Sequence, residues 1–329
     1  MKKRFCLIIF FAAVSLVYAV ENDLQIVKRA ANGKGMLCKL QDKKMILLVE
    51  GTPAEMGTAH GQLLAAEIKS MSEKTLLIAT GYLIDKDDWF FTRIQEVMQR
   101  TRPYTPDRFL QECDAMSQAA GISAADGRHM NFFPEMFHCS GVAVRNSATV
   151  DGKIIHARVL DYMRDIRFQN YAALMVFMPE GHNSWVSLSF AGFIGTVTAM
   201  NDKGLAMGEM GGGGQGKWDG LPMNFMMRRV MEECSTVDEA IKLMKSVPLT
   251  CDYYYVISDK HKNMVGVCAI SGSPLKILQP GEQDEMLPPV PADTVYLSAK
   301  DRAKCLSERL RENLGRIDVK KMIEMTSVR

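Results

Sequence analysis

Hydrophobic and polar positions follow one pattern in the first part of the chain and another after residue 139. From about residue 50 to residue 134 the apolar residues recur at helical spacing. A helix is predicted to begin with Thr52 as its N-cap, Pro53 at the first helical position and Glu55 three residues after the cap. Further helices are predicted near 88–100, 107–120 and 124–131, and a strand at 44–51 leads into the first helix. This part of the chain is therefore predicted to be mainly helical.

Beyond residue 139 the pattern changes to short runs of β-branched and aromatic residues that end at Gly, Asn, Asp or Pro. The runs are CSGVAVRNSA, GKIIHARVLD, YAALMVFMPE, NSWVSLSFAG and GTVTAMNDKGLAMGEMG. Runs of this kind predict strands joined by turns, and their succession predicts an antiparallel meander. Two more strands are predicted in DYYYVISD and NMVGVCAI, which are joined by the turn KHKN.

Helical spacing returns in four places after the meander begins. Helices are predicted at 222–234, 236–246, 300–313 and 317–325, and Thr236 with Glu239 forms a capping box for the second of them. Successive strands without intervening helices, with helices before and after them, predict an α+β fold instead of a parallel doubly wound sheet. The glycine-rich stretch at 211–220 is predicted to be a flexible loop, with a substrate lid as the alternative. Because it lacks the GKS/T of a phosphate-binding loop, a nucleotide site is not predicted there.

Composition indicates a globular protein, and the charge balance argues against one class of partner. The chain has 329 residues, 47% hydrophobic and 24% charged, which suits one large globular domain or two modest ones. Forty basic and 38 acidic side chains give a formal charge of +2, and no Lys/Arg run marks a nucleic-acid-binding face. This balance argues against nucleic acid as a partner.

The first residues have the pattern of an export signal. Lys2, Lys3 and Arg4 precede an apolar stretch at 5–17, and small residues follow around Ala19. The apolar stretch is shorter than the ~20 residues that a membrane span needs. We therefore predict that residues 1–19 are a cleaved signal peptide and that the mature protein is secreted or periplasmic, without stable membrane insertion.

The cysteines do not form a recognisable disulfide or metal pattern. Of eight cysteines, Cys6 lies in the predicted signal, which leaves an odd number in the mature chain. Neither CxxC nor HExxH occurs, so no metal site and no other cofactor is predicted. The cysteines of the mature chain are Cys38, Cys113, Cys139, Cys234, Cys251, Cys268 and Cys305.

Cys139 opens a strand, and it has two routes to becoming a nucleophile. A thiol needs a base, which is either a separate histidine, as in papain-like peptidases, or the α-amine of the same cysteine at a newly made chain terminus. The second route requires a cut between His138 and Cys139. The strand that follows ends with Arg158 and Asp161, which a hairpin would bring back to Cys139. Asn201 is a candidate amide donor for an oxyanion.

Several stretches together resemble a known family. They are GTPAEMGTAHG at 51–61, CSGVAV with HARVLDY after it, MNDKGLAMG at 200–208 and YYYVISD at 253–259. The sequence resembles the N-terminal nucleophile (Ntn) cysteine hydrolases of the acyl-CoA:6-aminopenicillanic acid acyltransferase type, which are related to choloylglycine hydrolases, penicillin V acylase and the acid ceramidases. The resemblance covers about residues 45–270. It implies an αββα sandwich, two antiparallel sheets between helical layers.

The resemblance also implies roles for individual residues. Cys139 would be the nucleophile freed by autocleavage after His138, Asp161 would bind its α-amine, and Arg158 would line the thiol. Asn201 would assist the oxyanion. Where the family often has an asparagine in the strand that ends ISD, this chain has Tyr254, which we include among the candidate catalytic residues.

The predicted organisation follows from these roles. Residues 1–19 form the signal, 20–138 a helix-rich segment released as a separate subunit, and 139–329 the catalytic segment, which we expect to continue into further strands in a complete chain. The cleaved subunits are expected to remain associated, and a homo-oligomer is compatible with the sequence. The predicted activity is cleavage or transfer of the acyl group of a small N-acyl amide through a thioester. A papain-like peptidase and a non-catalytic binding protein on the same fold are the alternatives.

Overall fold

The computed structural model describes residues 24–40, 44–84, 90–132, 140–160, 167–285, 287–298 and 300–327. These residues form four layers, with helices on the outside and two β-sheets inside. The described helices are α1 (Pro53–Leu63), α2 (Ala65–Ile84), α3 (Phe90–Thr101), α4 (Asp107–Ala120), α5 (Ala124–Phe132), α6 (Met223–Glu233), α7 (Val237–Ser246), α8 (Lys300–Asn313) and α9 (Val319–Ser327).

The described strands divide between a large and a small sheet. They are β1 (Gln25–Arg29), β2 (Gly35–Lys39), β3 (Met45–Gly51), β4 (Ser140–Asn146), β5 (Gly152–Val159), β6 (Ala172–Pro179), β7 (Trp185–Phe190), β8 (Thr198–Asn201), β9 (Ala206–Gly213), β10 (Asp252–Ser258), β11 (Met264–Ile270), β12 (Lys276–Leu278) and β13 (Thr294–Leu297). Sheet A has ten strands in the order β1-β2-β3-β6-β7-β8-β9-β10-β11-β12, and sheet B has three in the order β13-β4-β5.

Three apolar clusters hold the four layers together. The largest fills the space between sheet A and helices α1 to α7 and includes Leu47, Phe177 and Phe225. A second lies between the two sheets around Met210 and Val256. The third packs sheet B against α8 and α9. The order helix, sheet, sheet, helix is the αββα sandwich that the resemblance implies, so the predicted fold class is confirmed.

Local sequence explains how the first helix is placed. The Thr52 side chain accepts from the backbone N–H of Glu55, and the Glu55 carboxylate accepts from the backbone N–H of Thr52, which completes the predicted capping box. One face of α1 packs closely on α4 through two glycines. A Cβ at Gly57 would lie 2.2 Å from the carbonyl oxygen of Glu112, so only glycine allows this approach.

The structure departs from the predicted meander in three ways. Strands β4 and β5 leave the meander and pair with β13 in sheet B, whereas β6 to β12 follow one another in sheet A. Strands β3 and β6 pair in parallel, from Met45 opposite Ala173 to Gly51 opposite Pro179. Strand β9 extends to Gly213, so the first part of the predicted glycine-rich loop is strand. Strands β1, β2, β12 and β13 have no counterpart among the predicted elements.

Two further predictions concern α7 and the membrane. Thr236 accepts from the backbone N–H of Glu239, but the Glu239 carboxylate accepts from Ser235, so the predicted capping box is only half formed. Among the described residues, no helix combines the length and apolar character that crossing a bilayer requires. The predicted signal at 1–19 lies outside the described residues.

Candidate functional site

The predicted nucleophile lies directly before a described strand. Strand β4 begins at Ser140 and pairs antiparallel with β5, with Gly141 opposite Arg158. His138, Cys139 and Asp161 lie outside the described residues. The site is therefore described from the residues of the strands that flank them. Sheet B contacts sheet A along β9, β10 and β11.

Arg158 projects from β5 into the space between the two sheets. Its side chain is only 2% exposed, and its Nη2 lies 2.9 Å from Oε2 of Glu209 in β9. Its Nε donates to the backbone carbonyl of Glu209 at 3.0 Å. Two hydrogen bonds to one residue fix both the position and the direction of the guanidinium.

Gly208 makes this close approach possible. A Cβ at Gly208 would lie 2.8 Å from Cγ of Arg158 and 3.1 Å from its Cβ. The side chain of Arg158 therefore lies flat on a stretch of β9 that has no side chain of its own. Any larger residue at position 208 would push the guanidinium away from Glu209.

The charge state of Glu209 is unusual. Burial raises the pKa of Glu209 to about 7, and the nearby Arg158 guanidinium only partly offsets this effect. The carboxyl group therefore changes its charge near neutral pH. A group with such a shifted pKa next to a buried arginine is typical of functional sites.

Tyr254 lies on the same side of sheet A as Arg158. In β10 it stands opposite Met210 of β9, and a Cβ on Gly141 would touch the Met210 sulfur at 2.7 Å. Burial raises the pKa of the Tyr254 hydroxyl. The structure therefore brings Arg158, Glu209 and Tyr254 to the region where β4 begins.

Asn201 is placed elsewhere, which corrects its predicted contact with the oxyanion. Its side-chain NH₂ donates to the carbonyls of Met231 at 2.9 Å and Cys234 at 2.7 Å, at the end of α6. Its side-chain oxygen accepts from the backbone N–H of Leu205 and closes the turn. With both amide hydrogens engaged on the helical side of sheet A, Asn201 joins the β8–β9 turn to α6 and offers no hydrogen to an oxyanion.

Glu209 is the site residue that sequence reasoning missed. The signal was a single carboxylate in the apolar and glycine-rich run AMGEMGGG, where a strand in the middle of a sheet would bury it. Buried carboxylates need a partner. That partner, Arg158, lies 51 positions away in sequence, so local pattern alone could not identify it.

No described feature holds a metal ion, and a cavity elsewhere does not match the predicted chemistry. Among the described residues, no three His, Cys, Asp or Glu side chains come together as metal ligands. A cavity of about 320 Å³ lies at the beginning of α1, lined in part by Arg108, Arg228 and Glu232. Glu232 accepts from both arginines, at 2.8 Å and 2.7 Å, and further carboxylates pair with each of them, Glu233 with Arg108 and Glu112 with Arg228.

Two sheets lie between helical layers, and a buried arginine and glutamate lie next to the strand that follows Cys139. Residues 151–285 match the family model described as acyl-coenzyme A:6-aminopenicillanic acid acyl-transferase. This match confirms the predicted resemblance to the family over those residues.

Individual relatives are distant in sequence. Protein dcd1A of Dictyostelium discoideum is 24% identical over 93% of this chain and 79% of its own length. The N-acylethanolamine-hydrolyzing acid amidase of Mus musculus is 21% identical over 51% of this chain, which spans about half of that relative, 49%. The solved structure of the Caenorhabditis elegans ortholog of that amidase has a TM-score of 0.47 at 21% identity, over 58% of this chain and 86% of its own.

Proposed function

We propose that this chain is an exported, self-processing cysteine amidase or acyltransferase with Cys139 as its nucleophile. The observation that carries the proposal is the buried Arg158–Glu209 pair on the strands next to the start of β4. A guanidinium held at this place favours the thiolate over the thiol and stabilises negative charge that develops on a carbonyl oxygen.

Processing uses the same thiol as turnover. The Cys139 sulfur adds to the carbonyl carbon of His138, the peptide C–N bond breaks, and the acyl group moves to sulfur while the α-amine becomes free. Water then hydrolyses the thioester, which leaves a carboxylate on His138 and a free thiol on Cys139. The new α-amine is the base for the second reaction, and Asp161 is proposed to bind it.

Substrate turnover repeats this chemistry on a small amide. The α-amine takes the thiol proton, sulfur attacks the amide carbonyl, and the amine product leaves with that proton. The thioester is then resolved by water in hydrolysis or by a second amine in acyl transfer. Arg158 is proposed to stabilise the negative charge, and Tyr254 is proposed to contact the substrate beside it.

The surroundings of the site differ on its two sides. Toward β6 and β7, Leu188 is 57% exposed and Leu174, its cross-strand neighbour, is 38% exposed on the face of sheet A away from the helical layer. Toward β10 and β12, ion pairs join Lys217 to Asp252 and Lys276 to Asp284. We propose that an apolar acyl group lies over the leucines and that the amine product leaves on the polar side.

The two segments made by cleavage are proposed to stay together. Strand β3 from the first segment pairs with β6 from the second in the interior of sheet A. The ion pair of Glu112 with Arg228 and the bidentate contact of Arg100 with Asp219 also join the two segments. Separation would leave strand edges and buried charges without partners.

Intact-mass and N-terminal analysis of the purified protein tests the proposal directly. We expect two chains, 20–138 and 139–329, that co-purify under native conditions, with Cys139 as the second N-terminus. Cys139→Ala is expected to stay uncut at 138–139 and inactive, and Cys139→Ser to cut slowly because a hydroxyl is the weaker nucleophile. Cys305→Ala is the matched control, since Cys305 lies in α8 in a different layer from the site.

The substrate class is tested with a panel of N-acyl amino acids, bile-salt conjugates, penicillin V and N-acylethanolamines. We expect amine release and a thioester on Cys139 that mass spectrometry detects after acid quench. An uncut His138–Cys139 bond in active protein, or cleavage of peptides alone, would support the papain-like alternative. Absence of any Cys139-dependent reaction would support a binding protein. A mature native protein that still begins at Met1 would contradict the proposed export.

A further inference from the structure

The strand that carries Arg158 has a second polar contact with sheet A. His156 precedes Arg158 by two residues, so both side chains lie on the same face of β5. Its Nδ1 lies 2.8 Å from the hydroxyl oxygen of Ser258 in β10. Ser258 is 3% exposed, and burial lowers the pKa of His156 to about 4, so the ring is neutral in this contact at neutral pH.

The same glycine supports both side chains. A Cβ on Gly208 would lie 3.7 Å from Nε2 of His156 as well as 2.8 Å from Cγ of Arg158. His156 and Arg158 therefore lie side by side on β9, and each extends a polar contact to sheet A. A change in the register of β5 or in its distance from sheet A would therefore move both contacts together.

The contact has an effect that apolar packing does not provide. The cluster between the sheets consists of side chains such as Ala143, Met210 and Val295, whose packing is not directional. Among the described strands, β5 forms backbone hydrogen bonds with β4, its partner within sheet B. A hydrogen bond from β5 to β10 instead sets the position of sheet B relative to sheet A, because it is lost within a shift of about 1 Å.

We propose that His156 is a positioning residue for Arg158, whose contact with Ser258 fixes β5 over β9 and β10 so that the guanidinium meets Glu209. This inference deepens the proposed function and rests on it for the role of Arg158 in catalysis. His156 itself touches neither substrate nor the reacting atoms.

Three variants test the role of the contact. In His156→Asn the side-chain nitrogen replaces Nδ1 and keeps the hydrogen bond to Ser258, whereas His156→Leu removes it. Ser258→Ala removes the partner of the same hydrogen bond with a smaller loss of packing. It therefore tests the contact even if His156→Leu does not fold. All three are compared with the wild-type protein on an amide that the wild type turns over.

We expect His156→Leu and Ser258→Ala to lower kcat by about 10–100-fold, the effect of displacing a catalytic group by about 1 Å, with KM within about twofold. His156→Asn is expected to keep kcat within about threefold. The double variant His156→Leu/Ser258→Ala is expected to be no worse than His156→Leu, because one contact is lost in both. If His156 had a purely structural role, its substitutions would lower thermal stability, and His156→Asn would not restore kcat.

A readout without substrate separates this inference from the proposed function. With ¹⁵N-arginine labelling, the Nε–H of Arg158 gives a resonance identified by its loss in Arg158→Lys, and its hydrogen bond to the Glu209 carbonyl slows exchange. We expect faster exchange in His156→Leu and Ser258→Ala and wild-type exchange in His156→Asn, even if no amide is turned over. The inference would be overturned if exchange were unchanged in both His156→Leu and Ser258→Ala. It would also be overturned if His156→Asn and His156→Leu lowered activity and speeded exchange equally.

Discussion

Two buried arginines, Arg158 and Arg228, lie on opposite faces of sheet A in different surroundings. Arg228 in α6 is 1% exposed, donates to Glu112 at 2.6 Å and Glu232 at 2.7 Å, and donates to the Ile194 carbonyl at 2.8 Å. Three aromatic rings surround its guanidinium, those of Phe109, Phe177 and Trp185. Arg158 is equally buried, and its Nη2 donates to Oε2 of Glu209 at 2.9 Å.

We interpret Arg228 as a structural charge, whereas Arg158 is proposed to take part in the chemistry. Although burial alone would lower it, Glu112 and Glu232 raise the pKa of Arg228, so that charge is permanent. The charge of Glu209, the partner of Arg158, changes with pH near neutrality, because burial raises the pKa of Glu209 to about 7. Burial of an arginine therefore does not by itself indicate its role.

The largest expected effect is on stability, at Arg228. Arg228→Met would leave Glu112 and Glu232 buried without their cation, and we expect a loss of about 3–5 kcal/mol in the free energy of unfolding. Urea denaturation of the uncut Cys139→Ala background measures it. The control is Arg229→Met, whose partner Glu233 is partly exposed, with an expected loss of about 1 kcal/mol or less. Equal losses would remove the distinction between a buried and a surface pair.

Glu209→Gln should change how stability depends on pH. The folded pKa of about 7 exceeds the usual 4.5, so the carboxyl group contributes stability that is fully present below about pH 4.5 and is lost as pH rises through 7. The unfolding free energy of wild type relative to Glu209→Gln should fall by up to about 3 kcal/mol across this window.

Glu233→Gln provides a control of opposite sign for the Glu209 prediction. Although burial would raise the pKa of Glu233, hydrogen bonds from Arg229 and Arg108 lower it. Its contribution to stability is therefore present above the usual pKa and is lost as pH falls through the folded value. The same slope in both variants would contradict the assignment of Glu209 as a carboxyl group with a raised pKa.

Arg158→Lys should lower activity with little effect on stability. A lysine cannot reproduce the two contacts that Nε and Nη2 make with Glu209, and we expect kcat/KM to fall by about 100-fold. Amine release and thermal melting measure the two effects. Arg145→Lys, at the other end of the hairpin that carries Arg158, should keep full activity. A similar fall in both variants would show that any arginine in sheet B has this effect.

Gly208→Ala should give the smallest effect in this series. Its added Cβ would displace the Arg158 side chain by a few tenths of an ångström or more, and we expect about a 10-fold lower kcat with the stability nearly unchanged. Gly81→Ala in α2 is the control, because a Cβ there meets nothing within 4 Å. Full activity in Gly208→Ala would mean that the position of Arg158 tolerates such a shift.

Sequence pattern predicted the local elements of the fold well. The described helices α3 to α9 begin and end within about two residues of the predicted ranges, because their caps and apolar spacing are local signals. The capping box at Thr52 formed as predicted. The partition into two sheets was not predicted, since β13 joins β4 across roughly 150 residues of chain and no local pattern records such a partner.

The candidate site, like the sheets, could be predicted from sequence only where its residues do not depend on long-range contacts. Arg158 was identified by its spacing from Cys139 and by the family resemblance, but Glu209 was not, because its importance depends on burial and on a contact across the sheets. Asn201 was misassigned for a related reason. An asparagine before a turn can donate its amide in several directions, and here packing of α6 against β8 sets the direction.

The parallel pairing of β3 with β6 has a consequence for how the protein can be made. In an uncut chain the two strands find each other as parts of one molecule, and the cost of closing the intervening chain grows only slowly with its length. After a cut at 138–139 the same pairing would have to form between two molecules, so refolding would depend on concentration. Heating or denaturant would then inactivate the mature protein irreversibly at low concentration, and its lifetime would be set by its rate of unfolding.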